Sequence, residues 1–213
     1  MQPFFPFKTC EEPSKDAIVA QPVSATINII TCIILLYLLL QTRTTAVRIL
    51  LLSFIVFQAF HAFSHMQHID GNIQVNVIHV IWYILSFATL YTIITLTKIS
   101  PSIYTLAILC ALIIIDLFVW KFVGGVYMIL SGFAILLSIV ILYYNSYPTF
   151  IKTALIYMII GLCILLAFIV NEKLNCENMI AYANLPYHAI IETLGLILFT
   201  ALAYLFVQWE QTR

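Results

Sequence analysis

Histidines and one glutamate in two apolar stretches have the spacing of metal ligands. His61, His65 and His68 follow one another at i, i+4 and i+7, so one face of an α-helix carries all three. His188 and Glu192 are also four residues apart and share a face of a second helix. Neutral imidazole and carboxylate are ligands that zinc prefers, and a catalytic zinc keeps one position open for water. The spacing therefore predicts one metal or proton-transfer site formed by His61, His65, His188 and Glu192.

Other polar residues of the apolar stretches are candidates for supporting roles. Asp116 or His79 is placed to hold the second ring nitrogen of a liganding histidine and so fix its tautomer. His68 and His79 have a simpler alternative as residues at a membrane interface, and Glu192 has one as the partner of a histidine in a structural ion pair. The sequence contains no H-E-x-x-H, G-x-S-x-G, P-loop or G-x-G-x-x-G motif, so no soluble-enzyme site competes with this cluster.

The composition predicts an integral, multi-pass helical membrane protein. Of 213 residues, 63% are hydrophobic and 8% are charged, whereas soluble proteins have about 45–50% apolar and about 25% charged residues. Nine basic residues balance nine acidic ones, so no positive field attracts nucleic acid. The apolar runs are continuous rather than alternating, which argues against a β-barrel.

A membrane span needs about 20 mostly apolar residues, and the sequence contains seven such stretches. Residues 1–21 form a polar extracytoplasmic tail without the features of a signal peptide, and residues 22–213 form the transmembrane domain. The break at 121–125 is the weakest boundary. The predicted spans are 23–41, 46–66, 76–97, 102–120, 124–144, 149–170 and 187–208.

The first loop favours an N-terminus outside and a C-terminus in the cytoplasm, because Arg43 and Arg48 lie in it and cytoplasmic loops are rich in basic residues. This orientation places every histidine and the two intramembrane carboxylates in one layer near the outer side. Cys10 and Cys176 then share the extracytoplasmic side, where disulfides form. A bridge between them and two free thiols are both open at this point.

Three separated motifs resemble the alkaline ceramidases and the wider CREST superfamily of seven-span membrane hydrolases. The family's tail reads C-E-E-N, and here Cys10-Glu11-Glu12-Pro13 precedes the first span. Its second span ends in S-x-x-x-H, which aligns His65 with the family's histidine and His61 with its serine. Its last span opens with H-x-x-x-H after an outer-loop cysteine, which here is Cys176 followed by the pair at 188 and 192.

The chain departs from the family pattern at two site positions. Glu192 stands where the family has its second span-seven histidine, and His61 stands where it has serine. A second alignment of the span-two motif uses Ser64 and His68, with His79 eleven residues later where the family has aspartate. The sequence leaves both alignments open.

The resemblance implies a zinc-dependent hydrolase that cleaves the amide bond of ceramide or a related membrane lipid. His65 and His188 then hold zinc with His61 as the third ligand, and Glu192 is a ligand or the general base. If all four bind, the site is closed and the zinc is structural. Asp116 is an alternative general base. Gly132, Gly161 and Gly195 leave room for an acyl chain.

The tail carries two further implications of the resemblance. The family's acidic tail resembles a calcium site, but here Pro13 and Gln21 replace two of its residues. Glu11, Glu12 and Asp16 remain, fewer than the six to eight oxygen ligands of calcium, so we expect weak calcium binding or none. The family's disulfide between the tail and the last outer loop matches Cys10 and Cys176.

A different functional class is also compatible with the fold. A non-catalytic seven-span receptor or proton-sensing protein accounts for the histidines, which titrate near neutral pH, and for the loss of the family's serine and second histidine. A retinal-binding protein is excluded, because residues 187–208 contain no lysine for a Schiff base.

Overall fold

The computed structural model describes residues 18–66, 75–123, 125–183 and 187–213, and within these ranges the chain forms α-helices and no β-strand. The side chains of residues 75–79, 119–133, 173 and 176–183 lie outside the described set. The prediction of an all-α fold is confirmed. The elements are α1 (Pro22–Gln41), α2 (Thr45–Met66), α3 (Val75–Thr97), α4 (Ile103–Val123), α5 (Gly125–Leu142), a 3₁₀ turn (Tyr144–Ser146), α6 (Thr149–Ala183) and α7 (Tyr187–Gln211).

Much of the described chain lies in helices that are long and apolar enough to cross a membrane. Large apolar side chains such as Tyr37, Leu40 and Phe118 are exposed on the outside of the helices, as contact with lipid requires. In α4 the described apolar stretch is shorter. These features are consistent with a membrane protein. The five helical segments that qualify are Pro22–Gln41, Thr45–Met66, Val80–Thr97, Thr149–Glu172 and Tyr187–Gln211.

Helices α2 and α7 are antiparallel neighbours, as the predicted site requires. The rings of Phe54 and Phe199 meet edge to face with centroids 5.5 Å apart, and eleven residues further along α2, His65 reaches Glu192 at the start of α7. Helix α1 packs against both α2 and α7. The histidine end of the bundle, where α2 ends at Met66 and α7 begins, is therefore formed mainly by these three helices.

A buried carboxylate fixes α7 against the turn between α1 and α2 at the opposite end of the bundle. Glu210 accepts hydrogen bonds from the backbone N–H groups of Arg43 and Thr44, at 2.7 and 2.9 Å, and from the Thr44 hydroxyl at 2.7 Å. Thr44 directly precedes α2, and its Oγ1 accepts a hydrogen bond from Val47 N, as an N-cap residue does. Because Glu210 is held at the first turn of α2, the depth of α7 relative to α2 is set.

Helix α6 is longer than the sequence predicted. The polar stretch from Asn171 to Pro186 was expected to be a loop, but the helix continues to Asn175, where the backbone is non-helical with φ at −131°, and a second helical segment follows to Ala183. The interruption lies at Asn175, four residues later than the predicted start of the break, and the residues on both sides of it are helical, because polar residues that form helices well extend the apolar span. This extension carries Glu172 into the bundle, where it is buried.

Candidate metal centre

Three side chains from α2 and α7 converge at the histidine end with the arrangement of a metal ligand set. His61 Nε2 and His65 Nε2 are 3.3 Å apart, and Glu192 Oε1 lies 3.6 Å from the first and 3.3 Å from the second. Among the described residues, these three offer ligand atoms that all lie within 4.8 Å of one another. His65 and Glu192 are buried and His61 is half-buried, so the three atoms share a space shielded from the surroundings.

The distances among these atoms suit a small divalent cation. Zinc lies about 2.0–2.2 Å from its nitrogen and oxygen ligands, so neighbouring ligand atoms of a tetrahedral site are roughly 3.3–3.6 Å apart. The observed separations of 3.3, 3.3 and 3.6 Å fall in this range. Two imidazoles and one carboxylate form a donor set that zinc accepts, and they leave the fourth corner of a tetrahedron open.

His188 is the fourth residue of the predicted cluster. It lies beside Glu192 but outside the set of three ligand atoms that are close to one another. Its Nε2 lies 3.0 Å from Glu192 Oε1, and its Nδ1 donates to the Glu172 carboxylate, at 2.9 and 3.1 Å from the two oxygens. The Nδ1 proton is thus directed at Glu172, and Nε2 faces the centre. The Nε2 atom is buried, and within the described part of the chain its polar contact is the one to Glu192 Oε1.

Hydrogen bonds from the start of α1 hold the second atoms of the ligand groups. His65 Nδ1 donates to Gln21 Oε1 at 2.6 Å, and the Gln21 backbone N–H donates to the His65 carbonyl at 2.9 Å. Asn28 Nδ2 donates to Glu192 Oε2 at 2.8 Å. These contacts orient one imidazole and the carboxylate so that His65 Nε2 and Glu192 Oε1 face the centre, as partners behind metal ligands do.

The sequence analysis missed Gln21, Asn28 and Glu172 as site residues. A signal for the first two was present, because the polar residues at 21, 24, 28 and 31 repeat at intervals of three and four and so mark one face of α1. Ser24, Asn28 and Thr31 on that face are buried. Glu172 was hidden because the stretch that contains it was expected to be a loop.

Two predicted supporting residues lie elsewhere in the structure. Asp116 on α4 is buried and accepts a hydrogen bond from the Tyr83 hydroxyl at 2.7 Å, and it is outside the set of three whose ligand atoms come together. Ser64 is buried and donates to the carbonyl of Phe60 in its own helix at 2.9 Å. A role of Asp116 as general base stays a prediction.

Several predicted residues lie outside the described part of the chain. His68 is one of them, and His79 lies in α3 with its side chain outside the described set. The same holds for the Cys10–Cys176 bridge, since Cys10 precedes residue 18 and the Cys176 side chain is not described. The prediction that the tail binds calcium weakly or not at all rests on Glu11, Glu12, Pro13 and Asp16. These residues also lie outside the described part of the chain.

An apolar cavity of about 110 Å³ lies between α2, α3, α5, α6 and α7, and on α7 its nearest lining residues, Leu198 and Phe199, lie about two helical turns from Glu192. Phe199 in its wall stacks on Phe57, with centroids 5.3 Å apart, and Phe57 contacts His61. Gly195 leaves room as predicted, because a Cβ added there would meet no atom within 4 Å. Gly161 leaves no such room, because a Cβ added there would lie 2.8 Å from Leu198 Cδ2. Gly132 lies outside the described side chains.

Comparison with protein-family models, with curated protein sequences and with solved structures gives no match. The resemblance to alkaline ceramidases therefore stays a prediction, and the function has to be inferred from the geometry of the centre itself.

Proposed function

We propose that this chain is a zinc-dependent hydrolase that cleaves the amide bond of a membrane lipid of the ceramide type. The observation that carries the proposal is the convergence of His61, His65 and Glu192, with His188 Nε2 beside them. An apolar cavity lies about two helical turns further along α7. A metal donor set with an open position is typical of hydrolases. A neighbouring cavity lined by apolar side chains is the place for an acyl chain.

His61 Nε2, His65 Nε2 and Glu192 Oε1 are the proposed ligands. A bound zinc ion supplies Lewis-acid chemistry, since it polarises a carbonyl oxygen and makes water a better nucleophile at neutral pH. Gln21 and Asn28 hold the second atoms of two of the ligands and so reduce the reorganisation that binding requires.

His188 is the proposed general base and acid. Its Nδ1 donates to Glu172 and its Nε2 lies 3.0 Å from Glu192 Oε1. With Glu192 Oε1 bound to zinc, Nε2 would be left to accept a proton next to the open ligand position. It takes a proton from the attacking water and returns it to the leaving amine, the role that a carboxylate-oriented histidine performs in other hydrolases.

We also propose that all seven helices span the membrane, with the N-terminus and the histidine end outside and the C-terminus in the cytoplasm. Arg43 and Arg48 support this orientation, because they lie at the end of the bundle opposite to the histidines and basic residues favour the cytoplasmic side. The metal centre then lies near the level of the outer headgroups, where a lipid amide is found while its chains stay in the bilayer.

Two substitutions test the proposed roles separately. We expect purified wild-type protein to contain zinc and to hydrolyse a long-chain ceramide. His65→Ala should lose both the metal and the activity, whereas His188→Ala should keep zinc near the wild-type level and hydrolyse at least ~100-fold more slowly, the usual size of a lost general base. Elemental analysis measures the metal and mass spectrometry of released fatty acid measures the rate.

Thr193→Ala is the control, because Thr193 is exposed on α7 next to Glu192 and its hydroxyl bonds only within the helix, to Ala189 O. Wild-type protein without zinc, or a His188→Ala variant with normal turnover, contradicts the proposal.

A second candidate function rests on the short distance between His188 Nε2 and Glu192 Oε1. If His188 is a fourth ligand, the site is closed, and the protein is a receptor or proton-sensing membrane protein with a structural metal. In that case His188→Ala lowers the zinc content as strongly as His65→Ala does, and no lipid amide is cleaved by the wild type.

A further inference from the structure

The cavity between the helices is suited to a hydrocarbon chain and not to water. Its volume is about 110 Å³, of the same order as an engineered apolar cavity of about 150 Å³ that stays dry and binds benzene. Thr89 is the one residue with a hydroxyl among the described lining residues, and this hydroxyl donates to Leu85 O at 2.8 Å. A buried water needs about two to four polar partners, which this lining does not offer. The occupant that fits is therefore an apolar chain.

Apolar contacts join the cavity to the metal centre along the seam between α6 and α7. On α7 the lining residue nearest to Glu192 is Leu198, which lies about 9 Å further along the helix. Leu198 and Leu165 of the cavity wall pack in one apolar cluster with Ile191, the residue before Glu192. Ile159, also in the wall, is 40% exposed, so the cavity lies next to the outer, lipid-facing surface as well. A lipid whose carbonyl is held at the centre is thus able to place its chain in the cavity.

Gly161 on α6 faces Leu198 at the end of the cavity that is nearest to the metal centre. A Cβ added at 161 would lie 2.8 Å from Leu198 Cδ2, so close that one of the two groups has to shift. Because Cδ2 is the tip of a flexible side chain, Leu198 would move more easily than the backbone. The empty space that Leu198 borders is the cavity, and in a close-packed interior a displaced side chain goes where there is space. The absence of a side chain at 161 therefore keeps this end of the cavity open.

We propose that the cavity holds the acyl chain of the substrate and that Gly161, through its contact with Leu198, sets the width of the end at which the chain enters. This inference rests on the proposed hydrolase function and adds a long acyl chain to the features that the protein selects. Gly161 is a positioning residue, since it acts through Leu198 and not on the reacting atoms.

The test compares two lipid amides that share a head group and differ in the acyl group. One carries a hexadecanoyl chain, and the other carries an acetyl group, which is too short to reach Leu198. We expect Gly161→Ala to lower the ratio of long-chain to short-chain kcat/KM by about 10- to 100-fold, a range typical of one methylene group in an apolar pocket, with zinc content at the wild-type level. Ala167→Val is the control, because it adds bulk at an exposed position of the same helix.

A double variant separates the contact with Leu198 from a general disturbance of the fold. In Gly161→Ala with Leu198→Ala, the side chain that is displaced has been removed, so the ratio should return to within about 3-fold of the value for Leu198→Ala alone. If Gly161→Ala leaves the ratio unchanged, or if the double variant shows no recovery, the role of Gly161 is overturned while the hydrolase proposal stands.

Photolabelling decides the chain site separately if the wild type cleaves neither amide and the proposed function fails. The probe is the hexadecanoyl amide with a diazirine in its acyl chain, added to the protein in lipid nanodiscs. Mass spectrometry should find the label on cavity residues such as Leu137 and Met158, and Gly161→Ala should reduce this label by about 10-fold. Label that is confined to exposed residues such as Ile156 and Tyr157, and that Gly161→Ala does not change, comes only from the surrounding bilayer and overturns the chain site.

Discussion

Replacing Glu172 by glutamine isolates the contact that holds His188. Both carboxylate oxygens lie near the histidine Nδ1, at 2.9 and 3.1 Å. Glutamine keeps one oxygen that accepts the same proton, so the tautomer is retained and only the charge is lost. A hydrogen bond to a charged group contributes about 1.5–3 kcal/mol and a neutral one about 0.5–1.5 kcal/mol. The difference, about 1 kcal/mol, corresponds to a loss of roughly 5- to 10-fold.

The expected result for Glu172→Gln is thus a kcat about 5- to 10-fold below wild type, at unchanged zinc affinity. Glu172→Leu removes the acceptor altogether and should lower kcat by up to about 100-fold. The assay combines lipid-amide turnover with competition for zinc against a chelator, and Leu174→Ala, exposed on the same turn of α6, is the control. If zinc affinity falls by the same factor as kcat, His188 is a metal ligand and the assignment of an open fourth position is refuted.

Two substitutions that do not touch His188 complete the predictions. Asn28→Leu removes the donor that holds Glu192 Oε2 and should weaken zinc binding by about 10- to 100-fold, measured by chelator competition; unchanged affinity would show that Asn28 does not orient the carboxylate. Glu210→Gln removes the charge that three donors of the α1–α2 turn share and should lower the free energy of unfolding by about 1–3 kcal/mol. Thermal unfolding in detergent measures this loss, and a fall in zinc content of the folded variant would contradict a purely structural role.

The parts of the structure that the sequence predicted are those set by local patterns. The helices α1 and α2 begin at Pro22 and Thr45, one residue before the predicted spans, because apolar runs end where polar residues or proline interrupt them. The pairs at i and i+4 predicted which faces of α2 and α7 carry the histidines, and the two faces do meet.

The parts that it did not predict depend on contacts between distant segments. Asp116 was predicted to lie in the same layer as the histidines, but the sequence gives no information on which way its helix faces, and in the structure it accepts a hydrogen bond from Tyr83. Gln21 was assigned to the tail, although its side chain reaches His65 across 44 residues of sequence. Glu172 shows the same limit, since a polar stretch at the end of a span is compatible with both a loop and a longer helix.

The way the polar groups are held favours a metal ion over a network of ion pairs as the reason for this cluster. A self-sufficient network would give each buried ring nitrogen a partner of its own within the protein, because an incompletely paired buried polar atom is costly. Here the atoms that face away from the centre are bonded, by Gln21, Asn28 and Glu172. The three Nε2 atoms that face it, of His61, His65 and His188, all lie 3.0–3.6 Å from the same oxygen, Glu192 Oε1. Support on the outer atoms, combined with three inner nitrogens that converge on one carboxylate oxygen, is the arrangement expected of a site that a ligand completes.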